Sequence, residues 1–372
     1  MERAMYKFEF FASVEYKGKL FFSALGHNGL YMMDMETENI QLIAVFNNEH
    51  ETKFLHREAY LYGNKAWLVP QKAKYIACFN LDTFEMKYFD YSFNGVCEDD
   101  TFSSFIAGRK MDNKLFLIPR NVSDLYIIDM ESETVNKVAD IIDADAEMTI
   151  DAFVQNNELY IFFFNQKYYR RYNILNSEIV DVSLDFCVSS VICEGEYWYI
   201  LGESFDKFMI LDSETKKVIR EIQLENDCEF FGLRAYGNTI LMLPRKSDCE
   251  AMYDMENSII RCENDANIVS SIHRSIFIES YDYDVMYYML QKGILKYGSD
   301  INKLETLNVE IPLYKLKEFA SNVIDCSDRR LYYRGLLSDH IISGNISVQL
   351  YLDYVLLDGD GDFEEKMFYE NV

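Results

Sequence analysis

One short phrase recurs along this chain at an interval that few folds accommodate. Lys65-Ala66-Trp67-Leu68-Val69-Pro70, Lys114-Leu115-Phe116-Leu117-Ile118-Pro119 and Thr239-Ile240-Leu241-Met242-Leu243-Pro244 each read as one polar residue, four apolar residues and a proline. Weaker copies lie at Lys19 to Ala24, Glu158 to Phe163, Glu196 to Leu201 and Asp284 to Met289. Measured between their ends, the seven copies stand 38 to 49 residues apart. A period of that length marks an array of supersecondary units, none of which buries its own apolar surface without its neighbours.

The segment 104–140 shows the unit most clearly. A strand A (Ser104 to Lys110) leads through a turn to the apolar strand B (Lys114 to Ile118). A loop beginning at Pro119 joins it to strand C (Leu125 to Asp129), and an acidic turn joins that to strand D (Thr134 to Asp140). Tyr, Ile, Val and Phe dominate these runs, as a pleated, packed surface prefers. The proline fits a strand end because it has no amide to donate to a ladder. Strand C and its turn recur as Leu30 to Thr37, Phe208 to Thr215 and Ala251 to Asn257, each with an Asp at the bend; Asn80, Asn173 and Gly298 replace that Asp in other copies. A short polar side chain there bonds the backbone two residues on, so this Asp reads as a turn cap rather than a metal ligand.

Four antiparallel strands repeated seven times describe an all-β, seven-bladed β-propeller of four-stranded antiparallel blades. Residues 1–312 are expected to form the propeller. Residues 313–372 break the pattern and are expected to form a short C-terminal segment that closes or caps it, with a helix near Ser347 to Leu357. The alternative route to closure is Tyr6 to Phe11 completing the last sheet. Over roughly residues 6 to 312 the repeat resembles the kelch-like and WD-type propeller superfamily. The resemblance is one of pattern: the chain has neither the double glycine of kelch repeats nor the Gly-His and Trp-Asp pairs of WD-type repeats. Its Asp-x-Glu-Thr turns look more like bacterial propellers with Asp-rich turns. No residue roles transfer.

Charge narrows the partners. The 372 residues carry 36 Lys and Arg against 62 Asp and Glu, a formal charge of −26. Phosphate backbones and anionic membrane surfaces reward the opposite sign, so neither nucleic acid nor membrane is expected as a partner. No run approaches the length of a membrane-spanning helix, and no apolar targeting segment follows Met1. The 8 cysteines form no CxxC pair and read as buried thiols of a cytoplasmic protein. Asn121-Val122-Ser123 and Asn345-Ile346-Ser347 match a glycosylation pattern that has no meaning in that compartment.

Alternating strand direction places the A–B and C–D connections on one face and the B–C and D–A connections on the other. The C–D turns are acidic. Each B–C loop carries a basic or imidazole group: His27; Lys72 and Lys74; Arg120; Lys167; Lys207; Arg245 and Lys246; Lys292. Loops on a rigid scaffold are where function concentrates. These residues are therefore the candidate ligand-binding face, expected to take a protein partner or a small anionic ligand in a binding or scaffolding role.

No phosphate loop, GxSxG or HExxH is present, and no catalytic residue, metal site or cofactor is expected. The five histidines (His27, His50, His56, His273, His340) are dispersed. His56-Arg57-Glu58 and His273-Arg274 open first strands and so approach the channel mouth, with the histidines read as surface groups. An enzyme acting on a sugar or peptide through mouth histidines and carboxylates is the alternative function. Asp358-Gly359-Asp360-Gly361-Asp362 begins like a calcium loop, but Phe363 and Tyr369 stand where Gly and Glu belong, so it reads as a solvated tail.

Overall fold

The computed structural model describes residues 5–47, 49, 53–91, 105–120, 122–138, 141–143, 147–202, 207–224, 230–244, 250–263, 276–280, 286–290, 293–297, 303–312, 315–316, 318–319 and 332. The repeat forms seven four-stranded antiparallel blades, an all-β seven-bladed propeller. Strand A is innermost and strand D outermost. The A strands of blades 1 to 6 are Phe10–Tyr16, His56–Tyr62, Phe105–Met111, Thr149–Gln155, Val188–Glu194 and Phe230–Tyr236. The B strands are Lys19–Ala24, Lys65–Pro70, Lys114–Pro119, Glu158–Phe163, Tyr197–Gly202 and Thr239–Pro244. Blade 7 runs Ile276–Ser280, Met286–Leu290, Gly293–Tyr297 and Lys303–Leu307.

The B strands are apolar throughout because a blade packs a neighbour against each of its faces. In Leu115, Phe116, Leu117 and Ile118 nothing is exposed. Odd and even side chains enter different cores: Leu115 and Leu117 pack with Trp67, Val69 and Ile76 of blade 2, whereas Phe116 and Ile118 pack with Leu159 and Ile161 of blade 4. Outer strands have no such cover, and Ile179–Ser183 alternates exposed and half-buried. Pro70, Pro119 and Pro244 each pair with the first residue of strand A, past the last residue that strand C pairs. A strand end is where a missing amide costs no ladder bond.

The recurrent turn residue is a cap in six blades. The Oδ1 atom of Asp34, Asn80, Asp129, Asn173, Asp212 or Asp254 accepts amide hydrogens two or three residues on, at 2.6 to 3.2 Å. Those amide bonds hold Asp34, Asp129 and Asp212 below the usual carboxylate range. Four residues after each cap stands a left-handed, non-glycine residue: Glu38, Phe84, Glu133, Ser177, Lys216 and Ser258, at φ 53 to 63°. Gly298, the seventh bend residue, lies outside the described residues.

Closure uses neither Tyr6 to Phe11 in the last sheet nor any exchange of strands between blades. All four strands of blade 7 come from residues 276–307. Its inner strand pairs directly with that of blade 1, parallel, at Val14 with Glu279 and Glu15 with Ser280. Outside the ring, Met5–Lys7 pairs antiparallel with Glu310–Pro312. Tyr6, Phe8, Val309, Ile311, Leu316 and Tyr332 pack on Phe10, Leu20, Phe22, Tyr31 and Met33 of blade 1. The helix expected at 347–357 and the acidic run at 358–364 lie outside the described residues.

Candidate functional site

An inner strand of a propeller leaves one row of amides and carbonyls without a neighbouring strand, and buried backbone groups need partners. Here adjacent blades supply them through two positions of strand A. The third residue of one blade accepts from the fourth amide of the next. Glu58 Oε2 accepts from Gly108 N at 2.7 Å, Asp151 Oδ2 from Val191 N at 3.0 Å, and Ser190 Oγ from Leu233 N at 3.2 Å. The fifth residue serves the matching carbonyl: the Tyr60 hydroxyl donates to Gly108 O at 2.7 Å, and Arg109 Nε donates to Ala152 O. Gly108 has to be glycine in this arrangement, since a Cβ there would meet Tyr60 Cε2 at 2.4 Å.

Each of the six inner strands also carries a register shift between its first and third or fourth residue. Such a bulge re-aims the extra side chain and is common at barrel rims. In blade 2 that residue is Arg57, at the end of the strand that faces the B–C loops.

The channel beneath is crossed by charged groups. Arg109 Nη2 pairs with Asp151 Oδ1 at 2.6 Å, and Arg234 of blade 6 reaches within 3.9 Å of Glu58 on blade 2. Arg57 is different. It is half-buried, and among the described residues no carboxylate stands at ion-pair distance and no group hydrogen-bonds it. Burial pushes its guanidinium below the ordinary value; Arg120 and Arg109 push the same way, against the pull of Glu58 and Asp151. Burial lowers Arg120 too. Arg57 of blade 2 and Arg120 of blade 3 are both half-buried, in a protein of formal charge −26.

The structure distributes the expected face residues unevenly. Arg120 is half-buried just past strand B of blade 3, its carbonyl accepting from Thr149 N at 2.8 Å. Lys207 turns outward to Glu221 on the outermost strand, at 2.9 Å. Lys74 lies over the Tyr75 ring at 5.1 Å, and Lys167 is exposed. Lys72 is half-buried, and its amide donates to Phe54 O at 3.0 Å. Arg245, Lys246, Lys292, His273 and Arg274 lie outside the described residues. His27 is fully buried, in a loop locked by Asn28, whose side chain makes both hydrogen bonds to the Phe46 backbone.

The surroundings of His27 settle its tautomer. Tyr332 donates to Leu316 O at 3.2 Å, so at the 2.9 Å contact Tyr31 is the donor to Tyr332. The Tyr31 oxygen then accepts from Nε2–H of His27 at 2.7 Å, leaving Nδ1 to accept from Tyr6 at 3.1 Å. His56 is also no surface group. It is 2% exposed, bonded through Nδ1 to Ser23 Oγ at 3.0 Å and packed on Phe46, and burial pushes it down to about 3. Both rings are held in the core by neighbours that the linear sequence separates from them.

Arg57, Glu58 and Asp151 are candidate residues that the B–C loops do not contain. Their signal was positional: polar residues at the second and third places of a strand that is otherwise apolar. Among the described residues no group of three or more His, Cys, Asp or Glu is arranged to hold a metal ion. No helix there is long and apolar enough to cross a membrane.

The sequence matches no protein-family model and no curated protein. Solved structures similar to it are propellers. A streptogramin B lyase aligns at TM-score 0.58 and 9% identity, covering 78% of this chain and 96% of that one. Virginiamycin B lyase from Staphylococcus aureus aligns at 0.56 and 8%, covering 78% and 96%. A chain of a mitotic checkpoint complex aligns at 0.56 and 8%, covering 81% and 89%. At such identities the likeness is one of fold, and this chain shares the β-propeller architecture of these proteins.

Proposed function

We propose that this propeller is a binding module whose B–C channel mouth holds an anionic group of a ligand or partner protein. Arg57 carries the reading. A half-buried cation with no anionic partner among the described residues is costly to maintain, and a bound anion reduces that cost. Glu58 and Asp151 do not meet this need, because both are engaged with inner-edge amides and with Arg234 or Arg109. A cytoplasmic setting belongs to the same proposal and is supported by Cys78 and Cys193, which are free thiols.

The enzyme reading draws on the lyase neighbours. It would have to draw its acid–base groups from Glu58 and Asp151, which are engaged with inner-edge amides and with Arg234 or Arg109, because the described histidines, His27 and His56, are core residues. The test is a thermal-shift survey of small anions and acidic peptides with wild type and an Arg57→Glu/Arg120→Glu variant. Stabilisation of the wild type that the variant loses is expected. Stabilisation that survives the double charge reversal overturns the assignment.

A further inference from the structure

The face of the C–D turns holds an amine among aromatic rings. In blades 2, 3 and 5 the left-handed residue four places after the turn cap reaches back to strand B of the preceding blade. Phe84 lies against Phe21 of blade 1, with ring centroids 6.3 Å apart, and stacks on Phe79 at 6.0 Å. Glu133 pairs with Lys65 of blade 2. In blade 5 the same place is taken by Lys216, whose Nζ stands 3.6 Å from the centre of the Trp198 ring and 5.1 Å from that of Tyr160 on blade 4. An ammonium therefore occupies a slot that blade 2 fills with a phenyl ring. The aromatic wall behind it is deep: Trp198 is fully buried and meets Phe153, Tyr160 and Tyr169 edge to face at 5.0, 5.1 and 5.4 Å. Lys216 is half-buried, so part of it remains in solvent. Its ammonium donates to Ser213 O, and among the described residues no carboxylate stands at ion-pair distance. Glu158, on the adjoining blade, is engaged by the Tyr160 hydroxyl at 2.7 Å and by Arg171 at 3.5 Å. Taking an ammonium out of water without an anion favours the neutral amine. Burial pushes Lys216 down to about 8, with Arg171 acting the same way and Cys193, Glu158 and Asp212 opposing. Once neutral, the amine is no longer drawn to the ring face, and its flexible four-carbon stem lets it swing toward solvent.

We propose that Lys216 is a modification site for small uncharged aldehydes. Its nitrogen adds to the carbonyl carbon, the C–N bond forming as the carbonyl π electrons move to oxygen. A proton passes from nitrogen to that oxygen to give a carbinolamine, and loss of water leaves an imine. The water carries away the aldehyde oxygen and both amine protons, so the step balances without an oxidant, a reductant or a second substrate. The preference for an uncharged compound comes from the turns around the amine. Ser213 N donates to Glu196 O at 2.8 Å and so ties the A–B and C–D turns of blade 5 together, with Glu194, Glu196 and Glu214 exposed on them to repel an anion. This site lies on the face opposite the B–C loops and stands apart from the binding-module reading.

The probe is propanal with cyanoborohydride, which reduces the imine to a stable secondary amine, applied to the whole chain at about pH 7.5 with low overall modification. Modification at each lysine is read by mass spectrometry of peptides cut at acidic residues, with the adjacent, exposed Lys217 as internal reference. At that pH about a quarter of an amine titrating at about 8 is neutral, against about a thousandth of an ordinary lysine, so Lys216 should react at least roughly tenfold faster than Lys217 in the folded chain. The preference should vanish in denaturant, where the rings no longer surround the amine. Glyoxylate, an anionic aldehyde, should show a smaller preference for Lys216 than propanal does. Equal rates at Lys216 and Lys217 in the folded chain overturn the proposal. A preference that survives unfolding overturns it too, because the local sequence would then account for the reactivity. A glyoxylate preference as large as that of propanal overturns the assignment to uncharged aldehydes.

Discussion

At the scale of single residues, the inner edge is held by geometry that tolerates few substitutions. Gly108→Ala places a methyl carbon into the Tyr60 ring and should destabilise by about 1–3 kcal/mol, the usual cost of overpacking. Equilibrium denaturation checks this, and an unchanged midpoint would show that the ring swings aside freely. His56 makes a pH prediction. An unfolded histidine titrates near 6.5, the folded ring is pushed down to about 3, and the unfolded chain therefore binds more protons between those values. Stability should fall as pH drops through that window, by up to about 1.4 kcal/mol per unit from this group. In His56→Gln the acid limb of the Tm–pH curve should flatten; a limb superposable on wild type would mean that other groups set the acid sensitivity. Neither residue was legible in full from the sequence. His56 is flanked by Arg57 and Glu58, which reads as surface, and only the packing of Phe46 and Ser23 from blade 1 reveals a core position.

At the scale of elements, the sequence was far more explicit. The strand-B phrase coincides with its strand in five copies: Lys19–Ala24, Lys65–Pro70, Lys114–Pro119, Glu158–Phe163 and Thr239–Pro244. In the remaining two copies the strand begins one or two residues later, at Tyr197 and Met286. A B strand is buried on both faces, so its apolar run is continuous and its ends are marked by the first polar residue and the proline. The turn caps were equally legible because their chemistry is local. Asn173→Ala removes the acceptor of two turn amides and should cost about 1 kcal/mol, read from denaturant midpoints. Ser177→Gly relieves a left-handed serine and should be neutral or stabilising by up to about 1 kcal/mol. A clear loss of stability would show that the Ser177 side chain matters more than its backbone. The inner-edge clamps were not legible, because the acceptor and donor sit in blades about forty residues apart in the repeat.

At the scale of the molecule, the ring closes without a shared blade. The direct pairing of Val14 and Glu15 with blade 7, the strand pair outside the ring and the buried relay from Tyr6 through His27 and Tyr31 to Tyr332 all join the two ends of the described chain. Burial and the neighbouring hydroxyl hold the Tyr31 phenol well above its ordinary value, so it stays a donor. Tyr31→Phe and Tyr332→Phe should each destabilise by about 1–3 kcal/mol, because each leaves buried hydrogen-bonding groups unmatched. The double variant should lose less than the sum, with a coupling of about 0.5–3 kcal/mol. Strict additivity in that cycle would show that the hydroxyls act independently.

What the sequence by itself determined was the unit and its number. Repetition, apolar runs and turn chemistry are local properties, and a period near 45 residues with seven clear or weak copies leaves little beyond a seven-bladed propeller. What only the tertiary structure decided was which charged side chains meet. Lys207 opens strand C of blade 5 and pairs outward with Glu221, whereas Arg120 stands just past strand B of blade 3 and is half-buried. The direction a long side chain takes depends on partners brought in from other blades, and the bulge that carries Arg57 at the second residue of an inner strand is invisible in composition.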